Sequence, residues 1–83
     1  MRNFYYTYVL LCADRKNYIG STGDVERRFE EHRSGKVFAT KGRLPMKLVY
    51  YEACLSKELA LKRENYFKTG FGRKFLNQRI MQP

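Results

Sequence analysis

The sequence predicts an α+β fold: one small three-stranded antiparallel sheet flanked by helices, in the order β-β-α-β-α-α, as a single domain over residues 1–83. Three observations lead there. The 83 residues allow one modest core and no second domain. Three runs are dense in aromatic and β-branched residues, too short and too continuous for amphipathic helices. Three further stretches carry helix caps or helical spacing of apolar residues.

Phe4–Cys12 is the most continuous of the apolar runs and reads as the central strand. Ala13–Lys16 is polar and forms the hairpin loop, from which Tyr18–Ser21 returns as the second strand. Gly20 and Gly23 bracket a turn where the backbone takes a positive φ or meets a close neighbour. Asp24 caps a helix over Val25–Arg33, with Glu26 near the positive end of its dipole and Ser34-Gly35 as its stop. Residues Gly35–Met46 read as a loop, and Lys47–Ala53 as the third strand. Ser56 caps a second helix, Lys57–Thr69, which ends at Gly70; a third runs from about Phe71 to Arg79. No repeat, low-complexity tract or linker interrupts this order.

Composition narrows the function. Seventeen Lys and Arg against eight Asp and Glu leave a formal charge of +9. Such a surface attracts polyanions, with nucleic acid ahead of anionic lipid. Cys12 and Cys54 both lie in apolar runs and read as reduced, buried thiols, with a disulfide conceivable only if the two runs pair. No stretch approaches a membrane span, and the Tyr5–Cys12 run lacks the character of a secretory leader. The expected location is the cytoplasm, with no membrane partner.

Two adjacent arginines on the first helix pose a sharper question. At 100° per residue, Val25, Phe29 and His32 share one narrow face. Arg28 lies at the edge of that face and Arg27 close to the opposite side, in water. A guanidinium beside an apolar stripe needs an anionic partner, either a structural carboxylate or a phosphate onto which it can fork. His32 reads as a hydrogen-bonded core or rim histidine; a lone histidine cannot build a metal site. On the second helix Ala60, Glu64 and Phe67 form an i, i+4, i+7 row. Glu64 therefore pairs with a base, Arg28 or Lys68, or holds a cation.

Tyr6-Thr7-Tyr8, followed ten residues later by Tyr18-Ile19-Gly20, resembles the paired motif of the GIY-YIG nuclease superfamily. The resemblance spans nearly the whole chain and is closest to small single-domain bacterial members, through Glu-His-Arg-Ser-Gly-Lys and Lys-Thr-Gly-Phe-Gly-Arg-Lys-Phe-Leu. It implies a metal-dependent endonuclease that hydrolyses phosphodiester bonds in DNA, structure-selective or weakly sequence-specific, with a role in DNA repair or processing. Carried over by position, it implies Tyr8, Tyr18, Arg28, His32 and Glu64 as catalytic residues, with Glu64 holding Mg²⁺ or Mn²⁺. The first motif lacks its glycine and isoleucine, Ser21 stands where some members have lysine, and Asn77 is offset from a family asparagine.

Substrate contacts are expected from Lys36, Lys41 and Arg43 in the loop and from Arg73, Lys74 and Arg79 near the C-terminus, with Phe38 placed to stack on a base or to fill space under the loop. Nothing resembles a base-reading module, so recognition of structure or backbone is expected. The other reading is a non-catalytic nucleic-acid-binding module that keeps the fold. RNA suits the charge as well as DNA does, and so short a chain is expected to use a protein partner or a homodimer to hold its substrate.

Overall fold

The computed structural model describes residues 3–80. Strands β1 (Tyr5–Cys12), β2 (Asn17–Thr22) and β3 (Met46–Cys54) alternate with helices α1 (Val25–Arg33), α2 (Lys57–Phe67) and α3 (Gly70–Ile80) in the expected order. The sheet is antiparallel throughout, in the order β2-β1-β3. Phe4–Cys12 was the densest apolar run, and β1 is the strand buried between the other two.

The alternation of β1 builds two cores. On one face Tyr8, Leu10 and Cys12 join Met46, and Tyr18, Phe29 and Leu44 pack against them. On the other, Val9 meets Phe67 and Leu76, with Ile19, Val49, Tyr50, Phe75 and Ile80 around them. Thr7 points to this second face, fully buried, and its hydroxyl donates to the carbonyl of Ala60 at 2.8 Å. That bond ties the central strand to α2 and satisfies a polar group that would otherwise be costly to bury. A register shift between Val9 and Leu10 leaves Val49 as the extra residue on β3.

The helix caps form as their residue types dictate. Asp24 accepts from the Arg27 N–H and Ser56 from the Leu59 N–H. Gly35, at φ 80°, ends α1 in a conformation that only glycine takes without strain. Gly20 lies inside β2, and of the two expected reasons for a glycine there the structure shows the close neighbour, the Tyr8 ring. One boundary needs correction: α2 ends at Phe67 rather than Thr69. Thr69 instead accepts from the Gly72 N–H at 3.1 Å, while its hydroxyl donates to the Tyr66 carbonyl at 2.7 Å, so it serves as the cap that starts α3.

The cysteine-bearing strands do pair, but antiparallel. Cys12 lies opposite Met46 and Cys54 opposite Tyr5, at the two ends of the ladder. About 20 Å of strand separates them, and both thiols are free. Among the described residues no helix is long and apolar enough to cross a membrane.

Candidate active site

The site begins with a glycine. A Cβ on Gly20 would sit 2.5 Å from the Tyr8 hydroxyl, and the two residues are directly opposed in the β1–β2 ladder. Only a bare backbone at position 20 lets the Tyr8 ring lie flat across β2. This is the physical meaning of Tyr18-Ile19-Gly20: the glycine seats the tyrosine of the neighbouring strand.

So seated, the buried Tyr8 places its hydroxyl 2.9 Å from Nε2 of His32, which is itself fully buried. His32 reaches it because helical spacing puts it on the inward face of α1, one turn after the half-buried Arg28. The other ring nitrogen, Nδ1, lies 2.7 Å from the Thr40 hydroxyl oxygen. Thr40 directs its own hydroxyl toward the Val37 carbonyl, so its oxygen is open to accept from Nδ1–H. That network assigns Nε2 as the acceptor and Tyr8 as the donor. Burial is the main reason the His32 pKa falls below the usual histidine range, and the Arg28 charge adds to it. The imidazole is neutral at pH 7, as the assignment requires.

Tyr8 feels opposing influences. Burial pushes its pKa up; a hydrogen bond and charge from Arg28 pull it down, and the charges of Tyr18 and Glu64 raise it again. The net direction is upward, so Tyr8 is a phenol and not a standing phenolate. The lowering by Arg28 is a real contribution that burial outweighs. Tyr18 completes the aromatic wall, its ring 5.1 Å from that of His32 and 6.5 Å from that of Tyr8.

Arg28 pairs with Glu31, whose carboxylate lies 2.9 Å away, and its charge acts on Tyr8. Glu31 also holds Arg27 at 2.8 Å. Arg27 is the more exposed of the two arginines, as the helical wheel predicts. Glu64, largely covered, pairs with Lys68 at 3.0 Å and is near enough to act on Tyr8. Both carboxylate pairs are partly solvated, so each is a weak pair.

Among the described residues no group of three or more His, Cys, Asp and Glu side chains is gathered to cage a metal ion. One carboxylate with its remaining positions left to water and substrate phosphate is the manner in which Mg²⁺ is commonly held, so a lone Glu64 is compatible with the ion that the family resemblance implies.

The remaining expected contacts are scattered around this centre. Lys36 and Lys41 are exposed in the loop that also supplies Thr40, and the Lys41 ammonium lies 5.0 Å from the Phe38 ring. Phe38 is almost fully exposed, so it does not fill space beneath the loop. Arg43 is drawn away from solvent, its Nε 3.0 Å from Asp14, and braces the β1–β2 hairpin. Arg73 and Lys74 are exposed on α3, as is Asn77, while Arg79 lies over the Phe75 ring. Thr40 and Glu31 are the site residues that sequence reasoning passed over. A threonine eight positions beyond a histidine in an irregular loop carries no local signal.

The arrangement of a glycine-seated tyrosine, a histidine behind it and an arginine beside it can be set against known proteins. The family model described as the GIY-YIG catalytic domain matches residues 4–78. The chain belongs to the GIY-YIG family. The family is one of nucleases, and this domain shares its architecture with GIY-YIG relatives. It is 40% identical over 70 residues to a UPF0213 protein of Haloquadratum walsbyi, covering 83% of this chain and 79% of that one. It is 48% identical over 67 residues to a UPF0213 protein of Limosilactobacillus reuteri, covering 77% and 70%. The solution structure of a UPF0213 protein from Bacillus halodurans superposes with a TM-score of 0.56 at 38% identity, over 90% of this GIY-YIG chain and 83% of the other.

Proposed function

We propose that this GIY-YIG domain is a divalent-metal-dependent DNA endonuclease, structure-selective or weakly sequence-specific, acting in DNA repair or processing. The observation that carries the reading is the hydrogen-bonded series Tyr8–His32–Thr40 beside Arg28. A buried phenol with a neutral imidazole behind it is a proton relay in waiting.

Hydrolysis needs an activated water and a place for its proton. As the water oxygen bonds to phosphorus, the Tyr8 oxygen accepts the water's proton while the Tyr8 proton passes to Nε2 of His32. Tyr8 therefore never stands as a free phenolate, which at pH 7 would cost about 4 kcal/mol even with an unperturbed pKa. The bond from phosphorus to the leaving oxygen breaks on the opposite side; that oxygen takes a proton from solvent, and His32 returns its own to solvent. Thr40 holds the imidazole in the tautomer that can accept. Arg28, released from Glu31, faces the non-bridging oxygens and gains strength as their charge grows. Glu64 would hold a divalent cation, which when bound would supply neutralising charge at the scissile phosphate.

The alternative, a non-catalytic nucleic-acid-binding module, draws support from the ion pairs that already occupy Arg28 and Glu64. Titration with Mn²⁺, followed by water-proton relaxation, separates the two. The nuclease reading expects one site that disappears in Glu64→Ala; no Glu64-dependent site would favour the module. Competition between matched DNA and RNA strands at fixed salt then ranks the polymer.

A further inference from the structure

Beside the catalytic tyrosine lies a groove of about 420 Å³, lined by Tyr6, Gly23, Asp24, Val25, Glu26 and Tyr51. We propose that this groove binds a nucleobase, that of a nucleotide adjoining the scissile phosphate, stacked on the Tyr6–Tyr51 pair. The inference rests on the nuclease reading for the placing of the phosphate at Arg28, but not for the groove itself.

Three observations converge. Tyr51 lies directly opposite Tyr8 in the β1–β3 ladder, and Tyr6 precedes Tyr8 by two residues on the same face of β1. The groove thus begins about 7 Å along the strand from the catalytic residue, the scale of one nucleotide. The Tyr6 and Tyr51 rings are already stacked, 15° from parallel with centroids 6.0 Å apart. Half of Tyr51 is open to solvent, so the platform has a face to offer. Aromatic side chains of this kind take any base through its π-face.

Charge decides which part of a nucleotide enters. The chain carries +9, yet this groove is walled by two carboxylates, Asp24 and Glu26. They repel a phosphate and accept hydrogen bonds from a base edge. One turn beyond Asp24 on α1, Arg28 offers the phosphate its site. The same helix therefore sorts the nucleotide, with base towards Asp24 at its start and phosphate towards Arg28. A stacked, unpaired base cannot stay in a duplex, so the groove favours single-stranded or frayed positions next to the cut.

The test uses single-stranded and branched oligonucleotides carrying 2-aminopurine at successive positions, bound in EDTA so that nothing is cut. The expected result is quenching at one position, with binding to that oligonucleotide at least about fivefold weaker in Tyr51→Leu and retained in Tyr51→Phe. As a measurement independent of variants, a base-containing dinucleotide shifts the amide resonances of Gly23, Val25 and Tyr51 in the wild-type protein, and its abasic analogue does not. Equal shifts from both, or quenching unaltered by Tyr51→Leu, overturns the groove assignment. Cutting is scored separately in Mg²⁺. Tyr51-dependent quenching without cutting leaves the groove standing and removes the nuclease; cutting without Tyr51-dependent quenching does the reverse.

Discussion

The Tyr8 hydroxyl lies 2.9 Å from Nε2 of His32, and both partners are buried. Donation from Tyr8 to Nε2 requires a neutral imidazole. Burial and the Arg28 charge depress the His32 pKa in the folded state, so the folded chain resists protonation that the unfolded chain accepts. Its contribution to stability is fully present above the unfolded value, about pH 6.5, and is lost as pH falls through the folded one. Thermal unfolding between about pH 7.5 and 5 should therefore show a steeper loss of Tm in wild type than in His32→Gln. Parallel slopes would contradict the assignment of His32 as a buried neutral acceptor.

Tyr8→Phe removes the proton that the relay moves, while keeping the ring. Cutting should fall by about 10²-fold or more, the range for loss of a positioned acid–base group. Stability should drop by about 1–3 kcal/mol, because Nε2 is left buried without a partner. Tyr18→Phe, which touches His32 through its ring, should cost much less in rate. Comparable rates for Tyr8→Phe and wild type would remove Tyr8 from the mechanism.

Gly20→Ala puts a methyl group 2.5 Å from the Tyr8 oxygen. The ring must move, costing about 1–3 kcal/mol and breaking the alignment with His32. Denaturant unfolding should report the first effect, and single-turnover cutting a loss beyond what stability explains. Gly72→Ala provides the contrast. Its Cβ would meet the Tyr66 carbonyl and the Phe67 backbone where α2 passes into α3. The damage there is to folding, with no separate effect on the Tyr8–His32 bond.

Away from the site, Arg63 anchors the second core. Its Nε lies 2.6 Å from Glu52, which also accepts from the Tyr50 hydroxyl at 2.8 Å. Its guanidinium covers the rings of Tyr66, Phe67 and Phe75 at 4.6–5.0 Å. Arg63→Ala should cost about 2 kcal/mol from lost cation–π and ion-pair contacts. Arg63→Lys should recover less than half, since a point charge cannot lie flat on three rings. Chemical denaturation of the two variants measures the difference.

Much of this molecule was legible before its structure. Capping residues and helical spacing located α1 to the residue, because Asp24 and Gly35 act within a few positions of the backbone they terminate. The same spacing separated Arg28 from Arg27. Three features were not legible. Thr40 reaches His32 only because the loop folds under α1. The upward shift of Tyr8 comes from burial by residues distant in sequence. The antiparallel register that keeps Cys12 from Cys54 is a property of the whole sheet. Arg28 and Glu64 each have the structural ion-pair partner that the helical spacing allowed, Glu31 for the first and Lys68 for the second.

The most direct measurement incubates the purified protein with supercoiled, single-stranded and branched DNA in Mg²⁺, Mn²⁺ or EDTA, with identically purified Arg28→Ala and Glu64→Ala proteins alongside. The account predicts metal-dependent cutting, absent in EDTA and lost in both variants. Binding without cutting on every substrate, or cutting that both variants retain, would contradict it.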